Sequence, residues 1–499
     1  MAEQYVLGVD VGTTNAKALL ISEKGRVVAA GAREYPLFAP AVGRCEQRAQ
    51  DWWGAVVSIV RELCADAQVA RNVRGIAFST QGGTIVPVDG AFEPISHAIV
   101  WNDRRCEEER QEFEEQFGAD FMYQCSGWRL GAGLPALQVR HMRKRQSDVF
   151  HRAAMFLSVP DYIAAKLTGK PAVDFSNAGI NQFTDIRAGK HCKAILDFMG
   201  VRMEQVAKPV PSGRPIGALT DTAARELGLP AEVIVSSGAH DQYAVALGAG
   251  ICEAGDAVIG TGTAWVVTAL RDGADFASGF AQSISASEGK WGTMISISTG
   301  GVCLDWFRKQ VAGLENTPLD YATINRHLAE RYQPGSRGLI FYPYFNGASL
   351  PATRSPRVKA TLLGLDLSHD RYDIAHAVME GVGFQICWAL QEMEKRQAVR
   401  RLCVAGGATK SPVWMQMLAD ISGRPIHFGQ VTDLACVGAA ILAGVGCGLF
   451  RDTAMGARTM LQNGGGCMDP IPSNVQRYAE LMETYKARVQ PLKILYGEG

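Results

Sequence analysis

Three short clusters in this sequence carry residue types suited to handling phosphates and protons. In the first, Asp10-Val11-Gly12-Thr13-Thr14-Asn15-Ala16-Lys17, an apolar run ends in a carboxylate, a glycine, two hydroxyls and a lysine. A carboxylate at Asp10 suits Mg²⁺, held directly or through water between phosphates. Gly12 lets an anion approach the backbone closely. Thr13 and Thr14 add hydroxyl donors, and Lys17 adds positive charge. An ordinary Gly-Thr turn beside a surface Asp fits the same residues. The second cluster is Gly238-Ala239-His240-Asp241-Gln242. Phosphoryl transfer to an alcohol needs a base that accepts the hydroxyl proton, and Asp241 is the candidate. An Asp here also suits a helix N-cap. His240 is a second candidate base, although a lone His beside a better-placed Asp is more often structural. The third cluster, Gly260-Thr261-Gly262-Thr263, repeats the glycine and hydroxyl pattern of the first about 250 residues later.

The elements around these clusters give each a place. Tyr5 to Val9 and Ala18 to Ile21 read as the arms of a β-hairpin whose polar tip is the first cluster, with Val27-Val28-Ala29 as a third strand. Glu232 to Ser236 reads as a buried strand running into Asp241 and a small-residue helix. Asp256 to Ile259 and Ala264 to Val267 form a second hairpin around the third cluster. Neither tip is a Walker loop, and Gly248-Ala249-Gly250 lacks the spacing of a dinucleotide fingerprint. Val73 to Ser79 reads as a strand ending in Thr80-Gln81-Gly82-Gly83-Thr84, with Ile85 to Val88 returning as its partner. Polar and glycine residues at a buried strand's end commonly line a cleft. Gln81 is therefore a candidate for a hydroxylated ligand, a solvated Gly-Gly turn being the alternative. Trp101 and Asp103 offer a sugar an aromatic face and an acceptor. The alternative pairs Asp103 with Arg104 or Arg105 and buries Trp101. Ser296 to Phe307 leads from a strand into a helix, and Arg401 to Ala405 is a strand ending in Gly406-Gly407-Ala408, where glycines admit a flat adenine or a phosphate. The domain boundary falls between Gly248 and Gly255.

At 499 residues the chain exceeds one ordinary core. Its zero formal net charge argues against a nucleic-acid binder. The start has no basic and apolar leader pattern, and no apolar segment reaches membrane-spanning length. The twelve cysteines form no C-x-x-C pair. A structural zinc site or disulfide framework is not expected, and a reducing, cytoplasmic setting fits.

The opening tip is similar to the first phosphate loop of the actin, Hsp70 and sugar-kinase superfamily. With Trp101-Asn102-Asp103, Asp161-Tyr162, Gly238-x-x-Asp241-Gln242, Gly260-Thr261-Gly262-Thr263, Gly364-Leu365 to Glu380-Gly381, Gly406-Gly407-Ala408 and Gly438-Ala439-Ala440, nearly the whole chain resembles an FGGY-family carbohydrate kinase, xylulokinase-like. The resemblance implies an α/β fold of two ribonuclease-H-like domains, 1–248 and 249–499, with ATP and substrate between them. It implies ATP and Mg²⁺ as cofactors, Asp241 as catalytic base, and a small-molecule sugar or polyol as substrate, with no nucleic-acid or membrane partner. A homodimer is one state this admits. Carried over by motif, Gly12, Thr13, Thr14, Asn15, Lys17, Gly260, Thr261 and Gly262 meet the phosphates. Gly301, Asp305, Gly406, Gly407 and Ser411 line the rest of the nucleotide site. Asp10 and Asp241 hold the metal, and Gln81, Gly82, Gly83, Trp101, Asp103, Asp241 and Gln242 meet the substrate. One departure matters: glycerol kinases carry Arg-Glu and xylulokinases Met-His where this sequence has Gly82-Gly83. Glycerol is thereby disfavoured, and the glycines imply empty volume and a bulkier or differently hydroxylated sugar. Asp433 and Cys436, just before Gly438, are a second departure with no assigned role. Two other classes remain open, a nucleotide-binding regulator without sugar chemistry and a sugar-binding scaffold without catalysis.

Overall fold

A computed structural model describes residues 2–297, 299–313, 317–351, 353–429, 431, 433–461 and 464–498. Ser298, in the expected strand-to-helix stretch, lies outside them. The chain forms two compact α/β units, each interrupted in sequence. The first comprises Met1–Ala254, Leu270–Thr293 and Asp433–Asn463; the second comprises Gly255–Ala269, Met294–Thr432 and Gly464–Gly499.

The first unit is built on a mixed sheet in the order Pro215–Ala218, Ile234–Ser236, Val73–Thr80, Tyr5–Val11, Asn15–Ser22, Val27–Glu34. The alternating and continuous apolar runs of these strands supply its core, including Leu7, Val9, Leu20, Ile76 and Phe78. The opening hairpin forms as read, with Asp10 opposite Lys17 and Val11 opposite Ala16. Tyr5–Val11 also runs parallel to Val73–Thr80, placing Asp10 beside Ser79. The short strand Ala239–His240 pairs with the same strand, Ala239 opposite Ser79. Register alone therefore brings Asp10 and the start of the Asp241 helix to one end of three neighbouring strands. Their carboxyl ends are where open α/β sheets bind ligands. Ile85–Val88 does not return along Val73–Thr80. It joins a separate four-stranded sheet with Ala98–Ile99 and Met155–Ser158. The Gly82-Gly83 turn thus redirects the chain, with Gly83 at φ +72°.

The helix Leu434–Gly446 packs over the Tyr5–Val11 and Val73–Thr80 strands, and the helix Asp241–Gly248 packs on that helix, with almost no side chain at the closest approaches. A Cβ on Gly438 would lie 2.0 Å from Ala244 O, one on Gly248 2.0 Å from Leu434 O, and one on Gly8 1.9 Å from Cys436 O. Cys436 is accordingly a buried packing residue of this crossing.

The second unit repeats the logic. Asp256–Thr261 and Trp265–Arg271 form a hairpin, Thr261 opposite Trp265. Asp256–Thr261 then runs parallel to Arg401–Gly406, Thr261 opposite Gly406. Helices Gly301–Trp306, Tyr321–Arg331, Arg371–Glu394 and Pro412–Ser422 belong to this unit, the last packing against the sheet strands Ile426–Gly429 and Gly465–Met468. Glu380 ties the long helix down, accepting hydrogen bonds from Gly335 N (2.8 Å), Ser336 Oγ (2.6 Å) and Tyr478 Oη (2.6 Å). Gly381 beside it lets the helix approach Phe341 O, which a Cβ would meet at 2.1 Å.

Candidate active site

The tip of the first hairpin is wired so that its carbonyls face the protein. Gly12 O and Asn15 O accept from Tyr35 Oη at 2.5 and 3.0 Å. Thr13 O accepts from Gln47 Nε2 at 2.6 Å, and Thr14 O accepts from Tyr35 N at 3.1 Å. Among the described residues the N–H groups of Thr13 and Thr14 have no acceptor. A loop with satisfied carbonyls and free N–H groups suits an anion. Lys17 Nζ lies 2.8 Å from Asp433 Oδ1, 416 residues along the chain. Asp433, unassigned from sequence, is thus the counter-ion of the candidate phosphate lysine. Tyr35 and Gln47 were not expected here, because nothing local to either marks it as a partner of residues 12–15.

Asp10 accepts from Ser79 Oγ at 2.6 Å. Burial, reinforced by the charges of Asp241 and Asp433 and opposed by Ser79 and Lys17, pushes its carboxyl up to about 6. The folded protein therefore holds a proton there that the unfolded chain, with an ordinary value of about 3.9, releases earlier. The penalty is absent below about pH 4 and complete above about pH 6. Asp10→Asn is expected to stabilise the ligand-free, Mg²⁺-free protein by roughly 2 kcal/mol at pH 7.5 and hardly at all at pH 4. Urea unfolding at both pH values checks this, and an equal effect at the two would refute it. The same excess of negative charge, with hard oxygen donors on Asp10 and Asp241, fits a divalent cation of the Mg²⁺ type.

Asp241 is the first residue of its helix rather than the cap; His240 occupies the cap position. His240 Nδ1 lies 3.0 Å from Asp241 Oδ1, and Gln242 N donates to that oxygen at 2.6 Å. The imidazole is 8% exposed and the carboxylate 38%. Burial pushes the Asp241 carboxyl up, but His240 and the Gln242 N–H outweigh it and hold it below the usual carboxylate range. His240 moves the opposite way: burial pushes it down, and Asp241 more than compensates. The result is an accessible, ionised carboxylate with a fixed orientation.

The substrate-side residues divide. Gln81 is buried, with its Nε2 donating to Gln47 Oε1 at 2.9 Å and its Oε1 without a partner. Trp101 is not core: it is 48% exposed, and its Nε1 donates to Thr13 Oγ1 at 3.1 Å. Asp103 takes the alternative reading, pairing with Arg105, and not that of an open acceptor for sugar. Its side chain is fully buried and its oxygens accept from Arg105 Nε (2.9 Å), Arg105 Nη2 (2.7 Å), Arg105 N (2.8 Å) and Cys45 N (2.6 Å). No oxygen is left for a sugar hydroxyl, so its role is to brace the Trp101 loop. The expected empty volume at Gly82 and Gly83 is also corrected. A Cβ on Gly82 would lie 2.5 Å from His240 Cδ2, and one on Gly83 2.9 Å from Trp101 Cβ. Neighbouring side chains, the His240 ring at Gly82 and Trp101, Leu134 and Ile180 at Gly83, already fill the space the glycines leave.

In the second unit, a cavity of about 600 Å³ is lined by Thr261, Gly262, Thr263, Gly301, Asp305, Gly407 and Ser411, with Trp265, Tyr321, Asn325, Lys410 and Trp414. Its size is ordinary for a small-molecule or cofactor pocket. Gly260 and Gly406 are not among its lining residues; both are strand residues, Gly406 the last of its strand at φ +96°. Two expected phosphate or nucleotide contacts are engaged internally. Thr261 Oγ1 donates to Ala405 O (2.6 Å) and accepts from Ala408 N (3.0 Å). Ser411 Oγ donates to Asn325 Oδ1 (2.6 Å) and caps the Pro412–Ser422 helix. Asp305 is ringed by Arg308, Lys309 and Tyr321. The aromatic pair Trp265 and Trp414, ring centroids 4.9 Å apart and planes at 40°, was missed. The only sequence signal for it was the position of each Trp just after a glycine-rich turn. Trp265 Nε1 is buried without a partner. An apolar, aromatic-walled cavity beside glycine turns fits a nucleotide base and its phosphates.

Among the described residues, Cys106, Glu109 and His141 bring ligand-type atoms within 4.8 Å of one another. Lys144 Nζ, 3.7 Å from Glu109 Oε1, already supplies positive charge there, so this group reads as an ion cluster between helices. No helix among the described residues is long and apolar enough to cross a membrane.

Known proteins resemble this chain over most of its length. The N-terminal domain model of the FGGY family of carbohydrate kinases matches residues 5–248, and the C-terminal domain model matches residues 255–447. A xylulose kinase of Bacillus subtilis is 27% identical over 487 residues, 97% of this chain and 96% of its own length. A gluconokinase of the same organism is 25% identical over 446 residues, 88% of this chain and 86% of its own. The crystal structure of a xylulose kinase from Rhodospirillum rubrum superposes with a TM-score of 0.89 at 26% identity, covering 99% of this chain and 100% of that one. With family models covering most of its length and a shared fold throughout, the chain belongs to the FGGY family of carbohydrate kinases and is a sugar kinase.

Proposed function

We propose that this kinase transfers the γ-phosphoryl group of ATP to a hydroxyl of a ketose or related polyol, with Asp241 accepting the hydroxyl proton. The observation that carries the reading is the Asp241 carboxylate itself. It is accessible, kept ionised by His240, and placed by strand register at the same sheet end as Asp10. Thr13 and Thr14 donate to phosphate oxygens, and Lys17 exchanges Asp433 for phosphate. Asp10 and Asp241 are the residues that would hold Mg²⁺, which when bound offsets the charge developing on the phosphoryl group. Trp101 offers its exposed face to sugar C–H groups, and Gln81 and Gln242 offer amides to hydroxyls. The proposal assigns the substrate site and base to residues 1–248 and the nucleotide site to residues 249–499. It describes a cytoplasmic enzyme with no nucleic-acid or membrane partner. The twelve cysteines, none in a disulfide, are in keeping with a reducing compartment.

The test is an ADP-release screen with Mg-ATP across ketopentoses, ketohexoses, deoxyketoses, alditols and aldonates. Sugar-dependent release with at least one ketose or alditol is expected. ATP hydrolysis indifferent to every sugar would refute the reading in favour of a nucleotide-binding regulator.

A further inference from the structure

Gly82 contributes no side chain, yet its place toward the substrate side is occupied. The Cδ2–Nε2 edge of His240 lies where that side chain would stand, with Nε2 2.9 Å from an ideal Cβ. The ring is pinned through its other nitrogen, Nδ1, to Asp241 Oδ1 at 3.0 Å. Its backbone N donates to Ser176 Oγ at 2.8 Å. Among the described residues no hydrogen-bond partner is found for Nε2. Residues linked to this edge, Gln81 adjoining Gly82, Trp128 packed on His240 and Gln182 bonded beside Trp128, carry further unpartnered polar atoms. Gln81 Oε1, Gln182 Oε1 and Trp128 Nε1 are all buried without a hydrogen bond. Gln81 and Gln182 are each more than nine-tenths buried. Trp128 stands beside His240, ring centroids 5.8 Å apart. Gln182 Nε2 holds Arg129 O at 2.9 Å, next to Trp128 in sequence, and its backbone sits in the left-handed region at φ +64°. Buried polar atoms without partners are costly in a folded protein, and strained non-glycine backbone clusters at ligand sites. Together they mark a cluster of polar residues beside Gly82 with unmet hydrogen-bonding capacity.

We infer that His240 is a specificity-determining residue of this kinase, its Nε2 pairing with a substrate hydroxyl in the place a side chain at position 82 would otherwise serve, and that the surrounding groups select a neutral, hydroxyl-rich sugar over a sugar acid. The inference rests on the kinase reading above. Two amide oxygens call for hydroxyl donors and one indole N–H for a hydroxyl acceptor. An imidazole nitrogen pairs with a hydroxyl in either sense. None of these groups supplies a cation to a substrate carboxylate beyond His240, already committed to Asp241. A site built to hydrogen-bond a hydroxyl discriminates strongly, because its loss leaves a buried polar atom unpaired.

Steady-state kinetics of the full chain with its best neutral sugar and with gluconate test this, using three variants. His240→Asn keeps an amide near the Nδ1 position and removes Nε2; KM for the sugar is expected to rise about tenfold or more, a larger factor than any fall in kcat from the lost imidazole beside Asp241. His240→Gln restores an amide near Nε2 and gives up the Asp241 contact; KM stays within about threefold and kcat falls. Gly82→Ala, whose Cβ displaces the ring, raises KM as His240→Asn does, and decides the matter if the His240 variants do not fold. Unchanged KM in both His240→Asn and Gly82→Ala, or a parent enzyme that prefers gluconate, overturns the assignment while leaving the kinase reading intact. A parent that phosphorylates no sugar overturns both.

Discussion

Asp241→Asn is expected to lower sugar phosphorylation by about two to four orders of magnitude, the usual effect of losing a general base. Asparagine keeps the shape and the hydrogen bond from Gln242 N, now made to an amide oxygen. It loses the charge that His240 stabilises and the ability to accept a proton. The carboxylate is 38% exposed and asparagine matches its size, so the fold should persist. Sugar binding, followed by titration calorimetry without nucleotide, should remain within about tenfold of the parent, because the hydrogen-bonding groups near Gly82 are untouched. Turnover within tenfold of the parent would remove Asp241 from the role of base. A comparable loss of sugar affinity and of turnover would assign it to binding instead.

Gly438→Ala is expected to destabilise the first unit by about 3 kcal/mol or more, above the usual range for an added core methyl. The reason is what the methyl meets. Ala244 O, 2.0 Å away, is a main-chain oxygen inside a helix and has no rotamer to escape into. The helices Asp241–Gly248 and Leu434–Gly446 must separate, and each carries a charged site residue at its start, Asp241 on one and Asp433 just before the other. The variant is therefore expected to lose activity as well as stability. The midpoint of the first urea transition and kcat of the folded fraction are the measurements. An unchanged midpoint would show that the crossing is looser than the backbone distances state.

The local chemistry of this protein was legible in its sequence because it is encoded locally. A hairpin tip needs only a few consecutive residues to present Gly12, Thr13 and Thr14. A strand running into a helix places Asp241 without reference to the rest of the chain. The two tips, together with the other short motifs along the chain, carried the resemblance to the family, and the comparisons uphold it. Alternating apolar residues set the strands for the same reason. What the sequence could not decide is every property that depends on which groups share a volume. Asp433 became meaningful only when the fold brought it 2.8 Å from Lys17, with the return of residues 433–463 to the first unit. Asp103 reads as an open acceptor until Arg105 and Cys45 N are seen to use both of its oxygens. Ile85–Val88 has the pattern of a return strand, but the pairing partner of a short apolar run is set by the whole sheet. Gly82 shows the difference most directly. A glycine in a sequence reads as missing volume, and in the folded protein that volume belongs to His240, which lies 158 positions later in the chain and is brought there by strand pairing with Thr80. Tertiary structure decides such cases because close packing lets only one neighbour occupy each space, and which neighbour does so is a property of the assembled strands rather than of any residue's own surroundings in sequence.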